Sequence, residues 1–331
     1  MEVLGLDVGG ANLKAAHSTG VARLQPFPLW KQPTALPEAL EGLIKQMPAH
    51  DLLAVTMTGE LCDCYESKRQ GVIAILDAVA AAASGRPIRV WRTDGRLVDL
   101  ETARAAPLQT AAANWLALAA FAGRYAPNGS ALVIDVGSTT TDIIPLSDGV
   151  PVPHGRTDPE RLRSQELVYT GVRRTPVCAL LGPAVAAEWF ATTLDVYLVL
   201  GSLPEDPADR DTADGRPATR AAAHARLAWM LCADLETCTA EERRKLALRA
   251  AACQEEMIGL GVRRVAASLP RPPMTIILSG SGEFLARAVL EKQVSWPAAR
   301  LVSFAEQLGQ KLSQAACAYA VAVLAQERNA D

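Results

Sequence analysis

Several features that mark large classes of protein are scarce in this chain. Aromatic residues fill only 5% of its 331 positions, and the four histidines, His17, His50, His154 and His224, are too scattered to share a metal ion. Neither sign of charge is in excess: 33 Lys and Arg against 36 Asp and Glu leave a net −3, which argues against a surface built to coat nucleic acid or an anionic membrane. No apolar run reaches the ~20 residues of a membrane span, and the Ala/Leu-rich stretches near 76–83 and 111–122 read as buried helices. Met1 to Asp7 has no basic start and no cleavage site, so it reads as a strand rather than a signal peptide, and a cytoplasmic location is expected. Seven cysteines, an odd number without regular spacing, predict reduced thiols; Cys62-Asp63-Cys64 is the one close pair. The chain also lacks a G-x-S-x-G elbow, a Walker A loop and a G-x-G-x-x-G turn after a strand. What remains, half apolar and 21% charged, is the composition of a soluble globular enzyme with small-molecule partners, in about two domains of roughly 150 residues.

One pattern occurs twice. Val3 to Lys14 lies over Ala131 to Asp142: an apolar strand ends in Asp7-Val8-Gly9 or Asp135-Val136-Gly137, small residues follow, and a second strand returns. Each copy predicts a β-hairpin with a tight glycine-containing turn. In the first copy a third extended segment is expected at 24–30, then a helix at 37–47, a strand at 52–58, a helix at 66–83, a strand at 88–91 and a helix at 109–122. The turn Ala126-Pro127-Asn128-Gly129 is the expected boundary between a first domain, 1–126, and a second, 127–331. The second copy predicts strands at 131–136, 140–145 and 150–153, a helical insertion at about 158–267 with an exposed Pro/Asp/Gly-rich loop at 203–218, a strand at 275–279, and helices at 283–290 and 313–328. The fold class is α/β, with the two glycine turns facing each other across a cleft between domains.

Such turns suit an anion. Glycine lets the main chain approach closely, and free N–H groups can point at phosphate oxygens. A bare carboxylate beside phosphate would repel it, so Asp7 and Asp135 make sense as ligands of a Mg²⁺ ion lying between them and an oligophosphate. Gly9, Gly10, Asn12, Gly137, Ser138, Thr139 and Thr140 would line that anion, with Lys14 as a compensating charge; Asp142 sits on either the solvent or the site face. Gly280, Ser281 and Gly282, between a strand and a helix, form a third candidate phosphate turn. Thr58 and Gly59 lead into Glu60 and Asp63, either of which is a candidate general base. Arg173 either clamps a phosphate or solvates a loop, and Tyr65, Asn114 and Trp115 are candidates to line a substrate or to belong to the core.

In order and placement the two Asp-x-Gly turns and the later Ser279–Gly282 turn resemble the phosphate-1, phosphate-2 and adenosine motifs of the actin, sugar kinase and Hsp70 superfamily. Asp135-Val136-Gly137-Ser138-Thr139-Thr140-Thr141-Asp142 is similar to the corresponding turn of the hydantoinase A and oxoprolinase group. Three further stretches, Met57 to Asp63, Tyr169 to Pro176 and Thr212 to Pro217, resemble a smaller branch of tetrahydromethanopterin-linked one-carbon-transfer proteins. That branch includes enzymes of methanofuran synthesis. The resemblance implies two ribonuclease-H-like domains with mixed sheets around a cleft. It also implies condensation of an aminomethylfuran-methyl diphosphate with the phenol of tyramine or a glutamylated tyramine, with loss of pyrophosphate. Glu283 directly after the third turn departs from ATP-using relatives. An ATP-dependent small-molecule kinase or ligase, with ATP or another nucleotide as ligand, is the alternative; a non-catalytic nucleotide-binding regulator is the second. Subunit number stays open, a homo-oligomer included.

Overall fold

The computed structural model describes residues 1–294 and 296–328. Among these residues twelve strands build two mixed sheets. In the first, β1 (Val3–Val8), β2 (Asn12–His17) and β3 (Ala22–Pro26) run antiparallel in sequence. On its other side β1 pairs in parallel with β4 (Leu52–Met57), β4 with β5 (Ile88–Trp91), and β6 (Leu97–Asp99) closes that edge antiparallel. The second sheet repeats the plan. Its hairpin is β7 (Ser130–Val136) and β8 (Thr141–Ser147); β9 (Val150–Pro151) and β10 (Leu167–Val168) share the outer edge of β8; β11 (Thr275–Ser279) and β12 (Arg300–Ser303) follow in parallel beyond β7.

Strand alternation decides which residues face where. Leu4, Leu6 and Val8 point into an outer core with the helices Leu36–Lys45 and Lys68–Ala82, while Val3 belongs to a core shared by both sheets. Likewise Leu132, Ile134 and Val136 face the helical insertion, and Ala131 and Val133 face the shared core. Two helices fill the space between the sheets, Asn114–Ala122 and Ala316–Arg328, both apolar nearly all round and therefore suited to burial on every side. The last helix crosses back onto β1, β2 and β4, and Asn114–Ala122 packs on β8 and β9. The approach is close enough that a Cβ at Gly5 would run into the Ala318 carbonyl.

The insertion carries five helices, Asp158–Ser164, Val177–Leu181, Thr193–Leu200, Arg220–Trp229 and Ala240–Ala267, the longest opened by a Thr239/Glu242 capping box. Differences from the sequence expectation are local. Of the segment at 24–30 only the part to Pro26 is strand; beyond it the Phe27 and Leu29 N–H groups donate to Ala11 O and Gly10 O of the first turn, while Pro26 and Pro28 have no N–H to give. The helix expected from 109 begins at Asn114, after a 3₁₀ turn at Pro107–Gln109, and the closing helix is interrupted at Ala315 into Gln310–Gln314 and Ala316–Arg328. Among the described residues no helix is long and apolar enough to cross a membrane.

Candidate active site at the acidic strand ends

The same alternation carries Asp7 and Asp135 to the inner faces. Asp7 has the parity of Val3 and Gly5, Asp135 that of Ala131 and Val133, so both project from the sides of the sheets that look at each other. Asp7 stands opposite Lys14 and beside Thr56; Asp135 stands opposite Asp142 and beside Ser279. The Lys14 ammonium lies 3.7 Å from Asp7 Oδ2 and also feels the Asp135 charge, which places both tips around one basic group.

The two turns share a geometry. Gly9 N–H donates to Asn12 O at 3.0 Å, and Gly137 N–H to Thr140 O at 2.9 Å. Among the described residues the main-chain N–H groups of Gly10, Ala11, Ser138 and Thr139 have no hydrogen-bond partner. These are the free donors an anion needs. The loop 169–176 is laid directly on the second turn: Val172 N–H donates to Gly137 O, and the N–H groups of Arg173 and Arg174 donate to Ser138 O, each at 3.0 Å. Only glycine fits at 171, where a Cβ would stand 2.5 Å from Thr139 N and 2.6 Å from Gly137 O. Gln254, buried on the long helix, braces that loop through Thr170 Oγ1 and Gly171 O, and accepts from Tyr197 OH at 2.6 Å.

Burial dominates the electrostatics. It raises Asp135 to about 7, with the neighbouring Asp142 charge adding to the effect and Lys14 opposing it. Burial also raises Asp7 against the pull of Lys14, and raises Asp142 against Arg161. Arg161, 1% exposed, donates to Asp142 Oδ1 at 2.8 Å and to Glu166 O at 3.0 Å, with its guanidinium 4.0 Å from the Trp115 ring centre. Three carboxylates thus face two basic groups, and Asp7 Oδ1 is buried with no partner. Among the described residues no three His, Cys, Asp or Glu side chains form a metal cage. With Asp142 tied to Arg161, the donors that fit a divalent ion are Asp135 and the free Asp7 oxygen, which suits a Mg²⁺ that keeps most of its water.

Glu60 follows Gly59, whose N–H donates to Val8 O at 3.0 Å, so its turn runs beside the first glycine turn. It is 1% exposed, Oε1 is 3.6 Å from Lys68 Nζ, Oε2 has no partner, and burial raises it to about 7 against the attraction of Lys68. Asp63 and Thr58 are exposed. Tyr65 is not brought to the acidic tips; it lines an outer groove with Pro33, Pro37 and Asp77. Trp115 lies one layer behind, under Arg161, and Asn114 donates to Cys317 Sγ at 3.6 Å. Arg173 pairs with Asp209 at 2.7 Å. In the third turn, Gly280 N–H donates to Ser313 Oγ and Gly282 N–H to Val136 O, while the Glu283 carboxylate accepts from Ser303 Oγ, Ser313 Oγ and Ala305 N–H. The N–H groups of Gly280 and Gly282 are therefore spent within the protein, and the Glu283 carboxylate caps the later helix Phe304–Leu308 rather than the start of its own helix.

With this geometry in view, sequence likeness decides the family: the hydantoinase/oxoprolinase family matches residues 51–327. The chain belongs to that family. A (4-{4-[2-(gamma-L-glutamylamino)ethyl]phenoxymethyl}furan-2-yl)methanamine synthase of Methanocaldococcus jannaschii is 32% identical over 339 residues, covering 98% of both chains. The synthase of the same description from Methanococcus vannielii is 32% identical over 201 residues, 58% of this chain and 89% of its own. Among solved structures, nucleotide-free acetone carboxylase aligns with a TM-score of 0.56 at 10% identity, over 97% of this chain and 70% of that one, a likeness of fold. This hydantoinase/oxoprolinase member thus has an α/β fold of two mixed sheets with matching hairpins, shared with that carboxylase.

Four residues of the site were not singled out by sequence reasoning: Lys68, Asp158, Arg161 and Cys317. Cys317 heads the last helix beside Asp135 and Asp7, and burial holds its thiol well above the usual range. None of the four carries a motif; Lys68 and Asp158 meet only because the two halves dock, while Arg161 reaches Asp142 through tertiary packing within its own half.

Proposed function

We propose that this chain joins a furan-methyl diphosphate to the phenol of a tyramine-type acceptor, forming an aryl ether and releasing pyrophosphate. The observation that carries the reading is the likeness, over 98% of both chains, to a synthase whose product contains a phenoxymethyl-furan bond. The site chemistry supports it. The free N–H groups of Gly10, Ala11, Ser138 and Thr139 receive the oxygens of the departing diphosphate, and Lys14 balances part of its charge. Asp7 and Asp135 would hold Mg²⁺, which when bound makes the diphosphate a better leaving group. As the furan-CH₂–oxygen bond breaks, its electron pair leaves with the diphosphate and the electron-rich ring steadies the carbon. The phenol oxygen attacks that carbon, and Glu60 takes the phenol proton. A carboxylate near 7 is far better matched to this step than one at its ordinary value.

The N–H groups of Gly280 and Gly282, already spent on Ser313 Oγ and Val136 O, weigh against an ATP site. Thermal stabilisation separates the two readings. Mg-pyrophosphate should raise the melting temperature of the full chain and Mg-ATP should not; selective stabilisation by Mg-ATP would overturn the condensation reading.

A further inference from the structure

Glu60 and Asp158 lie in different halves of the chain yet share one cation. Lys68 Nζ is 3.1 Å from Asp158 Oδ2 and 3.6 Å from Glu60 Oε1, so the ammonium leans toward Asp158. Lys68 is held in place by its helix, which starts at the Ser67 cap and presses Gly71 onto the Glu60 carbonyl; a Cβ at Gly71 would collide with it. Asp158 is held by the helix Asp158–Ser164, closed at its start by a Thr157/Glu160 capping box and anchored by Arg161 on Asp142 and Trp115. The charged and titratable groups facing Glu60 are Lys68 from one helix, Asp158 from the other, and Cys62 from its own turn.

We propose that Asp158 is a positioning residue for Glu60: by drawing the Lys68 ammonium across the junction it leaves one Glu60 oxygen unpaired and able to take a proton, so that the base is prepared only when the helix Asp158–Ser164 is seated. The inference rests on Glu60 acting as the base in the proposed condensation. Without Asp158, Lys68 has a single anion to pair with and settles on Glu60, making it a weaker base. Without Lys68, Glu60 keeps its proton to higher pH.

Carbon NMR titration of the full chain carrying carboxyl-labelled glutamate reads this directly, with Glu60→Gln assigning the resonance. Asp158→Asn should lower the Glu60 midpoint by about one pH unit or more, and Lys68→Gln should raise it by a similar amount. With furan diphosphate and tyramine as substrates, the acidic limb of kcat/KM against pH should move in the same directions, whereas a merely structural role would scale the rate equally at every pH. A midpoint unmoved in a folded Asp158→Asn overturns the proposal. Lys68 is 26% exposed, and its glutamine variant serves if Asp158→Asn does not fold; an unmoved midpoint there overturns it as well. Midpoints that shift as expected in the variants, while the wild-type protein shows no condensation activity, would sustain the pairing and sink only the proposed reaction.

Discussion

Replacing Asp135 by asparagine should make the protein more stable and inactive, with a stability gain that depends on pH. Burial and the Asp142 charge raise the Asp135 carboxyl from 3.8 to about 7 in the folded chain. Between those values the native state holds a proton that the unfolded state has lost, so wild-type stability falls as pH rises from about 4 to about 7 and then levels. At about 1.4 kcal/mol per unit the ceiling is about 4 kcal/mol, and partial access to water leaves between about 2 and 4 kcal/mol above pH 7. Asparagine cannot ionise and escapes this cost. Thermal and urea unfolding of both proteins at pH 4 and pH 8 is the assay: the curves should nearly coincide at pH 4, and the variant should melt roughly 4–8 °C higher at pH 8. Turnover should fall by about 100-fold or more, since the carboxylate works only where charge develops. A variant less stable than wild type at pH 8, or a difference that is flat in pH, would refute the reasoning.

Glu60→Gln should lower the condensation rate by about 10²–10⁴-fold while stabilisation by Mg-pyrophosphate persists; loss of both would assign Glu60 to binding instead. Gly171→Ala forces the loop 169–176 off the second turn and should cost about 1–3 kcal/mol by urea denaturation, together with most of the pyrophosphate affinity by calorimetry. Glu283→Ala strips two hydroxyls and one N–H of their acceptor and should cost about 2–4 kcal/mol in unfolding without creating ATP binding; a gain of ATP affinity would show that Glu283 excludes nucleotide by charge alone. Chelating divalent cations should abolish the pyrophosphate-induced rise in melting temperature and leave the ligand-free value unchanged.

Much of this arrangement could be read from the repeat. Equal parity of Asp7 and Asp135 along strands of matching pattern is enough to send both carboxylates to the faces that meet, and the Gly9 and Gly137 turns close as their spacing requires. The hairpins and the helical nature of the insertion follow from periodicity for the same reason. The short edge strands β6 and β10 escaped notice because three or two residues are too few to show an alternation. Arg161 carries no sequence signal, since nothing local reveals that it will be buried against Trp115 and Asp142. Lys68 and Asp158 are 90 positions apart, and only the docking of one half on the other brings them together. Glu283 was legible as a departure but not as a cap, because its partners Ser303 and Ser313 lie in later segments.

The central claim is that carbon, not phosphorus, is transferred at the acidic strand ends. Tyramine carrying ¹⁸O in its phenol, incubated with the furan-methyl diphosphate, Mg²⁺ and the full chain, distinguishes the two by mass spectrometry. The account predicts that all the label appears in the ether and none in the released pyrophosphate. Label in an aryl phosphate, or pyrophosphate formed without any labelled ether, would contradict it.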